Sequence, residues 1–190
     1  MFFESERLLF RQWQELDRDV FYELNSDSTV MKFFPKPLTR DESDDLIDRT
    51  IDIISKSGWG WFAVELKDSK QFIGFIGLAV PLYETHFTPC MEIGWRLHQN
   101  FWKKGFATEG AKAVLRFAFE NLGKEEIVSF TSKLNLPSVA VMERIGMKRD
   151  FGGDFDHPRV EPGHPLRPHL LYRINSDDWK NGLSIYKDNQ

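Results

Sequence analysis

The chain has 190 residues, 41% hydrophobic and 28% charged, which excludes wholesale disorder and suits one domain burying about two thirds of its unfolded surface. Twenty-five basic against 29 acidic residues give a formal net charge of −4, so no broad cationic field exists for nucleic acid or an anionic membrane, and any phosphate must be held locally. One cysteine, Cys90, excludes an intrachain disulfide framework and a multi-cysteine metal site, and fits a reducing cytoplasm.

The opening MFFESERLLF lacks a basic-then-apolar signal pattern, and no run of about eighteen apolar residues predicts a membrane span. Arg7–Trp13 alternates and predicts a strand. Leu16–Asn25 repeats Leu16, Val20, Phe21 and Leu24 at helical spacing. Residues 30–37 read as a loop fixed by Pro35 and Pro37. Thr39 and Glu42 form a capping-box pattern for a helix with the stripe Leu46, Ile47, Ile51 and Ile54, ended by Gly58.

Strand-like runs follow at Trp59–Leu66, Phe72–Leu82 and Met91–Leu97, the first two joined by a turn at residues 67–70. A helix is predicted over Ala107–Leu122, its apolar face built from Ala111, Val114, Leu115, Ala118 and Phe119. A strand at Ile127–Phe130, a helix at Pro137–Ile145 and an extended segment at Met147–Phe151 come next. Residues 152–168, which open on Gly152-Gly153 and carry Pro158, Pro162, Pro165 and Pro168, read as a long loop of the kind that often carries function. His169–Ile174 is the last strand, and Ser176 or Asp177 caps a short final turn. No linker or repeat divides residues 1–190, so a single domain is expected. The order predicts an α/β fold, a mixed sheet with helices on its faces. Seventeen Phe and 6 Trp demand a bulky core, or rings that line more than a core.

The chemistry concentrates in Met91–Glu109. A strand leads into a basic turn, Trp102-Lys103-Lys104-Gly105-Phe106-Ala107-Thr108-Glu109, and then a helix. The first helical turn leaves backbone N–H groups without partners and carries positive partial charge, so a phosphate fits there. Small Gly105 and Ala107 let it approach, and Lys103 and Lys104 add charge. A helix start with a solvated lysine pair is the plainer alternative. Neither a nucleotide P-loop nor a dinucleotide-binding glycine fingerprint is present.

Trp102-x-x-Gly105-x-Ala107 resembles motif A of the GNAT superfamily of N-acetyltransferases, Gln/Arg-x-x-Gly-x-Gly/Ala. Its Trp102 matches the RimJ/RimL-like branch, where Trp-x-Lys-Gly-Tyr-Ala-Thr-Glu is usual. Glu6–Arg11, Val30–Pro35 followed by Thr39, and Asn135-Leu136-Pro137-Ser138 followed by Met142–Met147 resemble further segments of that branch, in order, over roughly residues 5–175.

The resemblance implies a mostly antiparallel sheet of about seven strands, splayed between two parallel neighbours that bind acetyl-CoA. By position these are Met91–Leu97 and Ile127–Phe130. The backbone at Trp95 and Leu97 would pair with the pantetheine amides, Lys103, Lys104, Gly105, Phe106, Ala107 and Thr108 would cradle the pyrophosphate, and Asn135 would bond the pantetheine arm. Asn135 also reads as a helix cap. The implied reaction is direct acetyl transfer from thioester to a primary amine, with no metal. It needs a base, because only the free amine attacks. It also needs a donor for the oxyanion, expected from a strand N–H at Met91–Leu97, and help for a leaving thiolate of pKa ~8.5.

Glu92 is the expected base, provided burial among rings such as Trp61 and Trp95 raises its pKa; pairing with Arg96 is the alternative. Many relatives use a Tyr where this chain has Met142, so Ser138 is expected near the sulfur, with Tyr172 a weaker candidate. Cys90 lacks a base in sequence and reads as idle. His157, His164 and His169 read as solvated loop residues without metal-ligand spacing. The branch's layout assigns the acceptor site to Phe33, Phe34, Trp59, Trp61, Tyr83 and the 152–168 loop, for a small amine or a protein N-terminus. Dimers are common in the branch, and no sequence feature fixes a homodimer here. A non-catalytic acyl-CoA sensor and an interaction protein that has lost CoA binding are the competing functions.

Overall fold

The computed structural model describes residues 2–187. Eight strands, β1 (Phe3–Glu4), β2 (Leu8–Arg11), β3 (Trp61–Leu66), β4 (Phe72–Ala79), β5 (Glu92–Leu97), β6 (Glu126–Ser132), β7 (Lys148–Asp156) and β8 (Pro168–Asn175), form one sheet in the order β1-β2-β3-β4-β5-β6-β8-β7. Five α-helices flank it: α1 (Asp17–Ser26), α2 (Arg40–Ser57), α3 (Phe106–Arg116), α4 (Leu136–Arg144) and α5 (Ser176–Lys187). The pair β5–β6 is parallel, and the pairs β1–β2, β2–β3, β3–β4, β6–β8 and β7–β8 are antiparallel. The expected mixed, mostly antiparallel sheet is observed, with one strand more than expected because two-residue β1 extends it.

Two compact units divide the contacts, the first comprising the chain to Ala79 with Gly94–Val114, the second Val80–Ile93 with the chain from Leu115. In the first, the bulky core is built from rings: Phe3 stacks on Phe10 at 4.4 Å, and Trp13 meets Phe21 at 4.7 Å and Phe72 at 5.5 Å. Buried Arg11 is neutralised by two hydrogen bonds to Asp17 (2.7 and 2.8 Å) and one to Glu65 (2.7 Å). α2 carries the expected reciprocal capping box at Thr39 and Glu42 and ends at left-handed Gly58. Its buried face includes Ser43 and Thr50 beside Ile47 and Ile54.

In the second unit, Phe87, Val128 and Leu171 form a core cluster joined by Cys90, Phe130 and Phe155. The predicted buried face of the third helix holds at all five positions, but its last turn widens into a π-helix at Phe117–Asn121.

Three predicted segments differ. Val30–Phe33 is a 3-10 helix rather than loop, since the prolines restrict only the residues after it. The strand after α4 runs on to Asp156, so the predicted 152–168 loop shrinks to residues 157–167. Gly152 and Gly153 occupy a bulge between Asp150 and Phe155, where a chain reads as loop yet still pairs. The short final turn is a twelve-residue helix, with the Asn175 side chain accepting from Asp178 N–H at 2.7 Å.

Candidate active site

β5 supplies the backbone frame. Val128 N–H donates to Met91 C=O at 2.9 Å and the Ser129 hydroxyl to Ile93 C=O at 2.9 Å. Strand alternation puts the carbonyls of Trp95 and Leu97 on that same edge. Leu97 C=O accepts from the Trp102 indole N–H at 2.7 Å, which leaves its N–H and one carbonyl lone pair for the expected pairing. Trp102 thereby ties the start of the basic turn to the end of β5.

The turn itself is tightly wound and leaves backbone donors free of intrahelical partners. Lys103 and Gly105 both take left-handed conformations, φ 59° and 82°, which a glycine adopts without steric cost. α3 begins at Phe106, and its first i→i−4 bond runs from Glu109 N–H to Gly105 C=O at 2.9 Å. The N–H groups of Phe106, Ala107 and Thr108 therefore have no i−4 partner. This small-residue, N–H-rich turn fits a pyrophosphate.

A clamp between residues far apart in sequence holds the turn in place. Glu109 accepts from the Ser5 hydroxyl (2.7 Å), Arg7 N–H (2.7 Å) and Arg7 Nε (2.6 Å). Arg7 also donates from Nη1 to Lys104 C=O at 3.1 Å and lies 4.4 Å over the Phe106 ring. Its two charged members, Arg7 just before β2 and Glu109 in the turn motif, have 101 residues between them.

Alternation also puts Glu92, Gly94 and Arg96 on one face of β5. Glu92 is half-buried, yet enough protein surrounds it for desolvation to push its pKa up to about 7, with Arg159 opposing. The titratable groups around it are cationic Arg159 and the neutral Tyr83 hydroxyl and Cys90 thiol; Arg96 bonds Asn25 Oδ1 instead (2.6 Å) and is not its partner. Burial foremost, then Glu92, raises the Cys90 thiol to about 11, which keeps it protonated and idle.

Asn135 is the N-cap of α4. Its Oδ1 accepts from Ser138 N–H (3.3 Å), and its Nδ2 donates to Thr131 Oγ1 (2.9 Å) and Ser138 Oγ (3.1 Å). The cap is thus observed, and it fixes the Ser138 hydroxyl. Buried Tyr172 donates its hydroxyl to Glu143 at 3.2 Å, which leaves it poorly placed as an acid.

The expected acceptor rings fall in two clusters. In the first unit, Phe34 lies under the Arg96 guanidinium and Trp61 packs on Phe75 at 5.2 Å, its ring over Gly94. Phe33 and Trp59 are half-buried beside them in sequence. In the second, Tyr83 meets His157 at 4.9 Å and Arg159 at 5.2 Å. The histidines reverse their solvated reading: His157 and His169 are half-buried with rings 4.8 Å apart, and burial foremost, then His169, lowers His157 to about 4.

Comparison with known proteins agrees with this geometry. A family model described as an acetyltransferase (GNAT) domain matches residues 7–148. The N-acetyltransferase YnaD of Bacillus subtilis (strain 168) is 29% identical over 180 residues, covering 94% of this chain and 99% of that protein. The FsC-acetyl coenzyme A-N(2)-transacetylase of Aspergillus fumigatus is 31% identical over 176 residues, 85% of this chain and 71% of that protein. A crystal structure of a GNAT-family acetyltransferase from Bacillus anthracis superposes with a TM-score of 0.76 at 27% identity, covering 93% of this chain and 99% of that one. With the strand, turn and helix of the motif in place, the chain belongs to the GNAT family of acetyl-CoA-dependent N-acetyltransferases.

Proposed function

We propose that this N-acetyltransferase works as a single catalytic domain of the RimJ/RimL-like branch and acetylates a primary amine, with Glu92 as general base. The observation that supports the base assignment is the position of Glu92 on β5, where the surrounding protein desolvates it and pushes its pKa up to about 7. At that value a carboxylate is a stronger base than usual, yet about half ionised at neutral pH. Ionised Glu92 takes the ammonium proton through a water and frees the nitrogen lone pair. Acetyl-CoA supplies an activated thioester. The C–N bond that forms replaces the C–S bond that breaks, and a proton ends on the departing sulfur. A β5 main-chain N–H meets the developing oxyanion, and the Ser138 hydroxyl, fixed by Asn135, hydrogen-bonds the sulfur.

The backbone of Trp95 and the N–H of Leu97 hold the pantetheine, the Lys103–Thr108 turn holds the pyrophosphate, and Asn135 bonds the arm from its capping position. Phe33, Phe34, Trp59, Trp61 and Tyr83 contact the acceptor, a small amine or a protein N-terminus. The single cysteine agrees with a cytoplasmic setting, and no helix of the described residues is long and apolar enough to cross a membrane.

Calorimetric titration with acetyl-CoA, then a free-thiol assay over an amine panel, tests the reading. Micromolar binding and amine-dependent thiol release are expected. Binding without release for any amine would leave a sensor. No binding at millimolar acetyl-CoA would remove the assigned site.

A further inference from the structure

Two arginines of the first unit are drawn away from water, and they are treated differently. Arg11 has two carboxylates, Asp17 and Glu65, within 2.8 Å. Arg96 has no carboxylate within ion-pair distance among the described residues. Its Nη1 donates to Asn25 Oδ1, and its Nε is buried with no hydrogen-bond partner. The guanidinium lies 4.2 Å from the Phe34 ring centre and 5.4 Å from that of Phe75. The rings attract its charge but take up none of its five N–H donors.

The orientation is built rather than incidental. Asn25 and Ser43 are fully buried, and Ser43 Oγ accepts from Asn25 Nδ2 at 2.9 Å. That bond turns the Asn25 oxygen toward Arg96. A buried polar pair on α1 and α2 thus fixes one N–H of a cation whose charge the fold leaves uncompensated. Burial of this kind depresses the guanidinium pKa, to about 10, and is costly unless a counter-charge arrives. Arg96 nevertheless keeps accessible surface. The Trp61 ring lies over Gly94, two residues before Arg96 and on the same face of β5.

We propose that the amine acceptor carries a carboxylate, and that Arg96 binds this group while the rings of Trp61 and Phe34 cover the acceptor's apolar body. The inference rests on the amine-acceptor reading above. A planar guanidinium matches a carboxylate with paired N–H donors, and Arg96 holds N–H groups in reserve for it. A polyamine, cationic throughout, meets repulsion at the same place.

The test compares initial rates for matched acceptors: the α-amino acids and their carboxamides, 4-aminobutyrate and 6-aminohexanoate with their carboxamides, and spermidine. At least one carboxylate should exceed its carboxamide tenfold or more in kcat/KM. Arg96→Gln should erase that preference while acetyl-CoA affinity by calorimetry stays within twofold. Asn25→Asp covers the chance that Arg96→Gln fails to fold. It supplies an internal counter-charge, so it should keep the thermal midpoint and lose the carboxylate preference. If acetyl-CoA binds but no carboxylate is acetylated, if carboxamides or spermidine react as well, or if either folded variant keeps the preference, the inference is overturned and the acetyltransferase reading stands. If acetyl-CoA does not bind at all, both fall together.

Discussion

Replacing Glu109 by Gln strips the charge from a carboxylate that accepts three hydrogen bonds from Ser5 and Arg7, at 2.6–2.7 Å. The amide oxygen can keep two of the three, but its NH2 faces a donor. Hydrogen bonds to charged groups contribute about 1.5–3 kcal/mol each when buried. The Arg7 side chain is 43% exposed, so its ionic part is discounted to under ~1 kcal/mol. A net loss of about 1–2 kcal/mol follows, which lowers Tm by roughly 3–6 °C in a chain of this size. The same change loosens the Lys104 carbonyl and Phe106 from Arg7, so acetyl-CoA affinity should fall about threefold to tenfold while the amine KM holds. Burial opposes ionisation of Glu109, but Ser5 and Arg7 outweigh it and keep its pKa below the usual carboxylate range. A depressed carboxylate stabilises above its unfolded pKa and loses that contribution as pH falls through the folded value. The Tm gap between wild type and Glu109→Gln, measured by calorimetric scans from pH 8 to 3, should therefore close below about pH 4. Equal midpoints at pH 7, or a gap that acid does not narrow, would refute the clamp.

Glu92→Gln should lower kcat about 10²–10³-fold and remove the acid limb near pH 7 from the kcat/KM profile, read by free-thiol release. Because the folded pKa of Glu92 is raised, its contribution to stability is present at low pH and lost as pH rises through about 7, so the same variant should melt higher than wild type at pH 8; a lower midpoint would contradict the burial argument. Gly105→Trp puts a side chain at φ 82° and 3.4 Å from Arg7 Nη2 at its first atom, and calorimetry should find acetyl-CoA binding abolished. Normal binding would show that the turn is not the pyrophosphate site. Asn135→Ala should cost about 1 kcal/mol in denaturant unfolding through the lost cap, whereas Asn135→Asp keeps the cap acceptor but not the donors to Thr131 and Ser138; an acetyl-CoA KM raised by both would support a ligand role beside the cap.

Local signals carried far in this chain. The Thr39–Glu42 box, the stop at Gly58, the buried face from Ala111 to Phe119 and the strand–turn–helix around Gly105 were all legible, because each rests on residues within a few positions of one another. The 3-10 turn at Val30–Phe33, the bulged course of β7 and the final helix were misread, since pairing and packing there override glycine, proline and spacing signals. The candidate site divides the same way. The sequence alone determined the family motif, and Glu92, Asn135 and Ser138 as candidates. Only the tertiary structure decided that Glu109 closes on Arg7, that Trp102 takes the Leu97 carbonyl, and that Arg96 faces Asn25 and two rings with no carboxylate among the described residues in ion-pair reach. A side chain's charge is written in the sequence, but its solvation and its partner depend on residues tens of positions away, and those are chosen only when the chain folds.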